Sequence, residues 1–253
     1  MKIGLVNNAL GGTASSSVLS VSGKGAENVL NKDTVRVHAV SGNMDLMIDD
    51  IGGVNADIVC LFNVYFDDEM TVKLYDIYDN LISQMTFTES DWTGWKRKNI
   101  LYYPTGVSGD LDKIVITTTG AVSNQYIGYV WAGDWIDFSC LKVTQPFSKS
   151  ADSITITGSN RPVENQSFRF RTFNITTDNL QDFIDEVRPN MELILDDGFG
   201  KGRPFYFDDP PYNGELYFAN LDSPNIGFDL IEMRENGSIV HKGQFSAGVR
   251  EVT

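Results

Sequence analysis

Residues 125–138, QYIGYVWAGDWIDF, decide the fold that the sequence predicts. Alternation along a strand sorts its first side chains into two sets, Tyr126, Gly128, Val130 and Ala132 on one face and Ile127, Tyr129 and Trp131 on the other. Both sets are largely apolar, which is typical of a strand that is covered on two sides. Gly133-Asp134 then ends the strand, so Asp134 is interpreted as a turn residue rather than as a catalytic acid. The last three apolar side chains of the stretch are predicted to pack where two domains meet, and they are Trp135, Ile136 and Phe138.

A second run, ADIVCLFNVYF (56–66), is almost continuously apolar and is predicted to be a central strand. From Thr34 onward, short segments with a period of two alternate with turn signals and show no helical period. MTVKLYDI and LISQMTF flank Tyr78-Asp79-Asn80, which predicts a hairpin because Asp and Asn tolerate left-handed backbone. Residues 34–140 are therefore predicted to form an antiparallel β-sandwich.

Residues 141–253 are predicted to form a smaller α+β domain with one main helix. The helix is TTDNLQDFIDEVRP, with Thr177 as its N-cap and Pro189 after its end. Strands are expected at SFRFRTFNIT, MELILDD, RPFYFDD and GELYFANL, and a hairpin closes at Asn236-Gly237. The Gly-, Ser- and Asn-rich residues 1–33 are predicted to be an extended arm that gains order by packing on something else.

The chain has 20 basic and 34 acidic residues, a formal net charge of −14. This charge repels phosphate backbones and anionic membranes, so neither nucleic acid nor a membrane is expected as a partner. Cys60 and Cys140 both lie in apolar runs, which favours two buried thiols and leaves a disulfide open. No stretch is long enough to cross a bilayer, and the first residues lack a secretory hydrophobic segment.

Residues for catalysis are scarce. His38 and His241 are the two histidines, so zinc sites and histidine-based nucleophilic catalysis have little material. Four aspartate doublets stand at strand ends, where neighbouring side chains point to opposite faces and so do not form a glycosidase pair. A calcium ion at Asp67 and Asp68 is a more credible use of carboxylates, but no segment has EF-hand spacing. The sequence therefore predicts a non-enzyme with no catalytic, cofactor-binding or metal residues.

Two further motifs leave alternatives open. DDGFGKGRP (196–204) has the glycines of a phosphate loop but lacks its Gly-Lys-Ser/Thr ending, which favours a hairpin. Seven aromatic residues could form a sugar-stacking surface, although filling the core and rim of the sandwich is the favoured alternative. These residues are Trp92, Trp95, Trp131, Trp135, Tyr102, Tyr103 and Tyr126.

The order of the segments resembles a group of tailed-bacteriophage virion proteins. The segments are AENVLNKDTVRV, DLMIDDIGGVNADIVCLFNVYF, DKIVITTTGAVSNQYIGYVWAGDWIDF, FRFRTFNITTDNLQDFIDEVRP and RPFYFDD, which together span about residues 26–235. In that group a galactose-binding-like β-sandwich, or jelly roll, precedes a smaller α+β module. Because the resemblance is one of order and spacing, it transfers no site residue.

The resemblance implies a structural protein of the virion, most simply a tail, tail-tip or fibre-attachment protein. Its expected partners are other virion proteins and copies of itself in a symmetric assembly, with synthesis in the host cytoplasm and location in the virion tail. The alternative is a carbohydrate-binding module that contacts host-surface glycans through aromatic side chains. The two hypotheses differ in whether the aromatic side chains face solvent.

Overall fold

The computed structural model describes residues 2–31, 36–92, 98–107, 109–120, 124–137, 141–144, 172–177, 189, 192, 194, 202–207, 214–221, 227–235 and 238–251. Three short 3-10 helices span Asn8–Gly11, Ala26–Leu30 and Glu89–Asp91. The strands are β1 (Lys2–Gly4), β2 (Thr13–Ser16), β3 (His38–Ser41), β4 (Asp45–Asp49), β5 (Ile58–Tyr65), β6 (Met70–Tyr75), β7 (Leu81–Phe87), β8 (Ile100–Tyr102), β9 (Lys113–Thr118), β10 (Asn124–Gly133), β11 (Trp135–Asp137), β12 (Leu141–Thr144), β13 (Thr172–Thr177), β14 (Arg203–Phe207), β15 (Glu215–Leu221), β16 (Gly227–Glu235) and β17 (Ser238–Glu251).

Two antiparallel sheets form a sandwich. The five-stranded sheet has the order β2-β4-β9-β6-β7, and the four-stranded sheet has the order β3-β10-β5-β8. One buried cluster fills the space between them, with members that include Leu46, Val72 and Ile116 from the first sheet and Val59 and Leu61 from the second. The predicted antiparallel β-sandwich is therefore confirmed.

The hairpin predicted around Tyr78-Asp79-Asn80 is also confirmed. β6 and β7 pair in antiparallel register, and Asp79 adopts a left-handed φ of 62°. The Asp76 carboxylate accepts hydrogen bonds from the backbone N–H groups of Tyr78 and Asn80, both at 2.8 Å. The turn is thus fixed by its own side chains, as its Asp and Asn content predicts.

The central strands β5 and β10 are buried on both faces, as their apolar content predicts. Their second face carries Phe62, Tyr129 and Trp131, which pack with Leu216 and Phe218 of β15 in a separate buried cluster. Phe218 lies 4.9 Å from both Phe62 and Tyr129, measured between ring centroids. The four-stranded sheet is therefore the middle layer between the sandwich core and a third sheet.

Cys60 belongs to the same second face. It is fully buried and its thiol is free. Burial raises the pKa of this thiol well above its usual value. The expected buried thiol is confirmed for Cys60, while Cys140 lies outside the described residues.

The predicted assignment of side chains to faces is wrong at the start of β10. Ile127 joins Val64 in the sandwich core, whereas Tyr129 and Phe62 face the third sheet. These two pairs flank Asn63, whose φ of 53° is left-handed. A left-handed residue interrupts the pleat, so the alternation of faces restarts on its other side.

The third sheet has the order β11-β1-β14-β15-β17-β13-β12, and β16 pairs with β17. Two strands of this sheet, β1 and β11, lie outside residues 141–253. The predicted C-terminal domain therefore does not build the sheet alone. β1 pairs with β11 on one side and β14 on the other, and β2 pairs with β4 of the sandwich. Residues 1–33 thus contribute strands to two sheets, where an extended arm was predicted.

Asn7 explains how this N-terminal segment is fixed on the sandwich. The pairing of β3 with β10 ends at Ile127, which leaves the next part of that edge of β10 without a strand among the described residues. The Asn7 side chain pairs with the backbone there, because its Nδ2 donates to the Val130 carbonyl at 3.1 Å and its Oδ1 accepts from the Ala132 N–H at 3.0 Å. One side chain therefore satisfies polar groups that a strand would otherwise satisfy.

In the C-terminal part, the predicted strands at RPFYFDD and GELYFANL correspond to β14 and β15, and β16 and β17 form the predicted hairpin. The strand predicted at MELILDD is wrong, because Glu192 and Ile194 are helical. A short apolar run does not by itself distinguish a strand from a helix. Pro189 is helical as well. Residues 178–188 of the predicted helix lie outside the described residues.

The boundaries at residues 33 and 140 stay predictions. The four-stranded sheet shares a buried cluster with β15, and the third sheet crosses both boundaries. A distinct α+β domain is not seen in the described residues. No helix within the described part of the chain is long and apolar enough to span a membrane.

Trp131→Ala should lower the free energy of unfolding by about 3–5 kcal/mol, the usual cost of emptying a buried aromatic site. Trp131 is 2% exposed and lies between the four-stranded sheet and the third sheet. Urea denaturation measures the change. Tyr78→Ala is the control, because this side chain is 78% exposed and its loss should change stability by less than about 0.5 kcal/mol. Equal stability of Trp131→Ala and the wild type would contradict the layered packing.

Candidate functional site

A group of aromatic and charged side chains lies at the edge of the buried contact between the middle layer and the third sheet. We call it the Trp135 cluster, and it consists of Lys2, Tyr103, Trp135, Asp137 and Tyr206. Lys2 is on β1, Trp135 and Asp137 are on β11, Tyr206 is on β14, and Tyr103 follows β8. Four elements that are distant in sequence therefore converge here.

Strand register brings the charged and aromatic residues of the third sheet together. Lys2 is the direct partner of Asp137 on one side and of Tyr206 on the other, so these three share a face. Trp135 lies two residues from Asp137 along β11 and therefore points to the same face. Trp135 and Tyr206 also pack against the buried cluster beneath them.

Tyr103 is the most exposed aromatic member, at 44%. Its ring centroid lies 4.9 Å from that of Trp135 at an interplanar angle of 61°. The Tyr206 ring lies 6.4 Å away at 78°. Edge-to-face contacts of this kind are favourable, so the two neighbours hold the Tyr103 ring in place while much of it faces solvent.

An ion pair completes the cluster. Lys2 Nζ lies 3.4 Å from Asp137 Oδ2, with the two side chains 22% and 56% exposed. The same ammonium lies 4.1 Å from the centroid of Trp135 and 5.6 Å from that of Tyr103, both within cation–π range. The site thus combines an exposed ring with one donor group and one acceptor group.

Gly4 allows β1 to approach the middle layer closely enough to build this site. A Cβ at residue 4 would lie 2.7 Å from both Pro204 Cδ and Trp131 Cζ2. The buried Arg203 guanidinium donates to the carbonyl groups of Gly4 and Leu5, at 3.3 and 3.1 Å. The absence of a side chain and these hydrogen bonds together fix β1 over the ring of Trp131.

A second aromatic group, the Trp92 cluster, consists of Tyr65, Phe66, Trp92, Lys98 and Tyr126. Tyr65 and Tyr126 stack with centroids 5.7 Å apart, and Trp92 meets Phe66 edge to face at 5.2 Å. Lys98 Nζ lies 3.3 Å from the Trp92 centroid and 4.9 Å from that of Tyr65. Phe66 is buried and the other three rings are half-buried, so their faces are largely covered within the chain.

The structure separates the seven aromatic residues that the sequence singles out. Trp131 and Tyr102 are buried, and the Tyr102 hydroxyl lies 2.6 Å from Ser83 Oγ. Tyr103 and Trp135 come together in one cluster, Trp92 and Tyr126 in the other, and Trp95 lies outside the described residues. The hypothesis that these aromatic residues fill the core holds for some of the seven. The hypothesis that they form a surface holds for others.

Sequence reasoning did not find Lys2, Asp137 or Tyr206. Each is an ordinary member of a short alternating strand, and the pairing of β1 with both β11 and β14 brings them together. The sequence contains one indication of this pairing. Lys2 and Asp137 carry opposite charges, and each stands next to an apolar residue in strands of equal length. Without the pairing partner, that indication does not identify a site.

The aspartate doublets at residues 196–197 and 208–209 lie outside the described residues, and the calcium hypothesis at Asp67 and Asp68 stays a prediction. Within the described part of the chain, Asp49, Asp50 and Asp112 form a group of three acidic side chains whose carboxylate oxygens lie within 4.8 Å of one another. Asp49 lies 3.5 Å from Lys113 Nζ, and Asp112 accepts from the Gly52 N–H at 2.8 Å. Contacts within the chain therefore account for this acidic group.

Other residues considered for chemistry have structural surroundings. His38 is buried in β3 with Nδ1 3.2 Å from the Lys24 carbonyl oxygen, and burial lowers the pKa of its imidazole. Residues 196–201 of the glycine-rich motif lie outside the described residues. Gly202 directly precedes β14, and a Cβ there would lie 2.3 Å from the Phe218 ring. Close packing explains that glycine.

Asp134 lies beside the Trp135 cluster, between β10 and β11, and its carbonyl accepts from the Leu5 N–H at 2.9 Å. Burial and the negative charge of Asp57 raise the pKa of the Asp134 carboxyl, and a hydrogen bond from the Asp57 backbone opposes them. Asp134 therefore has a place at a strand junction, as the sequence indicates.

No protein-family model matches the chain, and no characterised protein matches it by sequence. The chain is similar in structure to several carbohydrate-binding domains. The lectin domain of lectinolysin in complex with the Lewis b antigen shares 16% identity at a TM-score of 0.42, over 50% of this chain and 95% of that one. A Streptococcus pneumoniae fucose-binding module shares 13% identity at a TM-score of 0.41, over 51% and 98%. A chitosan-binding module from a Paenibacillus chitosanase/glucanase shares 14% identity at a TM-score of 0.39, over 50% and 96%.

These TM-scores lie below 0.5, so the functional conclusion is built on the site itself. The three domains are named for binding sugars of different kinds, and none of those ligands is transferred to this chain. What the described residues provide is a sandwich, a third sheet packed on it, and the Trp135 cluster at the edge of the contact.

Asp134→Asn should stabilise the fold at pH 7, and the gain should shrink as the pH falls towards 4. The folded-state pKa is raised, so the charged carboxylate opposes folding and protonation relieves the penalty. Thermal denaturation between pH 4 and 7 measures this effect. Asp76→Asn is the opposite case, because hydrogen bonds from Asn80 lower the pKa of Asp76 and the substitution should destabilise at pH 7. A gain in stability for Asp134→Asn that does not change with pH would contradict the raised pKa of the Asp134 carboxyl.

Proposed function

We propose that the chain is a carbohydrate-binding module that uses the Trp135 cluster and acts by binding alone. The observation that carries this proposal is the exposed ring of Tyr103 beside the Lys2–Asp137 ion pair. An aromatic face accepts the apolar face of a pyranose, and nearby donors and acceptors read its hydroxyl groups. This arrangement needs no metal, cofactor or nucleophile.

The rigidity of the cluster supports binding. Trp135 and Tyr206 fix the Tyr103 ring through edge-to-face contacts, and both rest on the buried cluster beneath. A ring that is held in place before binding loses little conformational entropy when a ligand arrives. The Trp92 cluster fits a sugar less well, because Lys98 covers the Trp92 face and Tyr65 stacks on Tyr126.

Binding without turnover follows from the composition of the site. Asp137 is its single carboxylate, and hydrolysis of a glycosidic bond by the common mechanism needs two that face each other. A glycan incubated with the protein should therefore be recovered with its chain length unchanged, as measured by mass spectrometry.

Tyr103→Ala should weaken glycan binding by at least about tenfold, since truncating a central aromatic anchor costs more than about 1–2 kcal/mol. A glycan array identifies the ligand, and calorimetry then gives its Kd for each variant. Tyr103→Phe keeps the ring and should bind within about threefold of the wild type, because the stacking face is retained. Retention of full affinity by Tyr103→Ala would contradict the proposed site.

Two further variants serve as controls. Tyr78→Ala removes a tyrosine that is 78% exposed on the hairpin between β6 and β7, so it tests whether any exposed ring matters. Trp92→Ala removes the centre of the Trp92 cluster. Both should bind like the wild type, and a loss confined to Trp92→Ala would move the site to that cluster.

A structural role in a phage virion stays a prediction of the sequence, as does location in the virion tail. No observation on the described residues favours it over glycan binding. The two roles are compatible, because a virion protein can also bind a glycan on the host surface. Electron cryo-microscopy of a particle that contains this chain would test the virion role independently of the Trp135 cluster.

A further inference from the structure

We infer that the Trp135 cluster selects neutral sugars over acidic and amino sugars, with Lys2 and Asp137 as the specificity-determining residues. This inference rests on the proposed function and names the ligand class for the same site. Its basis is the ion pair between these two side chains, 3.4 Å apart, whose ammonium lies over the exposed Tyr103 ring at 5.6 Å from the ring centroid. Three properties of that pair lead to the selection.

The first property is the pairing of one cation with one anion in the cluster. The Lys2 ammonium already faces Asp137 and two aromatic rings. A sugar carboxylate would meet Asp137, which repels it, and would have to draw Lys2 away from these contacts. The net charge of −14 adds long-range repulsion against any acidic glycan.

The second property is that the place for a cation is already taken. The Lys2 ammonium lies over Trp135 at 4.1 Å and near Tyr103 at 5.6 Å, positions that an amino sugar's ammonium would otherwise use. Such a sugar would have to displace Lys2, which is held in β1 between β11 and β14. The net negative charge of the chain attracts cationic sugars, but the site itself excludes them.

The third property is a donor and an acceptor side by side. The separation of 3.4 Å is longer than the roughly 2.7–2.9 Å of a tight charge-assisted hydrogen bond. An ammonium has three N–H donors, and a carboxylate accepts several hydrogen bonds. One sugar hydroxyl can therefore accept a hydrogen bond from Lys2 while the adjacent hydroxyl donates one to Asp137. Neutral pyranoses have such adjacent hydroxyl groups, and their binding leaves the net charge of the site unchanged.

The test uses two series of methyl glycosides that keep ring stereochemistry and vary charge. One series is glucose, glucosamine and glucuronic acid, and the other is galactose, galactosamine and galacturonic acid. Ligand-observed NMR titration at pH 6 gives a Kd for each with the wild type, Lys2→Met, Asp137→Asn and Tyr103→Ala. Thermal denaturation of each variant confirms that the strands still pair. Lys2→Met preserves much of the side-chain length, and Asp137→Asn is nearly isosteric.

For the wild type, the neutral member of at least one series should bind about tenfold more tightly than its charged relatives. Lys2→Met should weaken the neutral sugar and move the preference to the amino sugar, because the sugar's ammonium can then take the place of Lys2 Nζ beside Asp137 and over the rings. Asp137→Asn should weaken the neutral sugar and improve the acidic one, because Lys2 then lacks its carboxylate partner. The two variants thus shift the preference in opposite directions.

Several outcomes would overturn the inference. Tighter wild-type binding of a uronic acid or an amino sugar that still depends on Tyr103 would overturn the ligand class and leave the proposed function standing. An unchanged ranking in both charge variants would show that Lys2 and Asp137 do not determine specificity. Failure of every glycoside, together with an empty glycan array, would overturn the inference and the proposed function together.

Discussion

The packing of Phe62, Tyr129 and Trp131 against β15 is the contact on which the rest of the structure depends. It requires the middle layer to be apolar on both faces, which is why β5 and β10 contain so few polar residues. It also determines the path of the N-terminal segment. β1 lies over the Trp131 ring because residue 4 is glycine, and Asn7 completes the edge of β10 where β3 ends. Burial of aromatic surface on this scale is a dominant favourable term in folding.

The candidate site follows from the same contact. An aromatic interface between two sheets has an edge where its rings meet water, and Trp135 and Tyr206 lie at that edge, half-buried. Tyr103 extends beyond them and is the ring with the most exposed surface there. The charged pair of Lys2 and Asp137 stands at the border between the apolar contact and solvent, where an ion pair keeps part of its hydration. Rings, donor and acceptor are therefore positioned by elements whose first role is to pack the sheets together.

Much of the fold could be predicted because it depends on local pattern. Two-sided burial follows from continuous apolar runs, and the hairpin at Asp79 follows from turn chemistry. The reversal of faces at Asn63 could not be predicted, because alternation assumes an unbroken pleat. The sequence does not predict the helical state of Ile194, because a short apolar segment suits either a strand or a helix. For the site, sequence composition pointed to Tyr103 and Trp135. It could not identify Lys2, whose role depends on pairing between strands that are far apart in the chain.

A crystal structure of the chain with a neutral glycan bound would test the site most directly. The pyranose ring should lie against Tyr103, with adjacent hydroxyl groups within hydrogen-bond distance of Lys2 Nζ and the Asp137 carboxylate. The backbone of β1 and β11 should be unchanged, because the neighbouring rings already hold the site in its binding geometry. A glycan seated on the Trp92 cluster or on the hairpin at Tyr78, with the Trp135 cluster empty, would contradict the assignment.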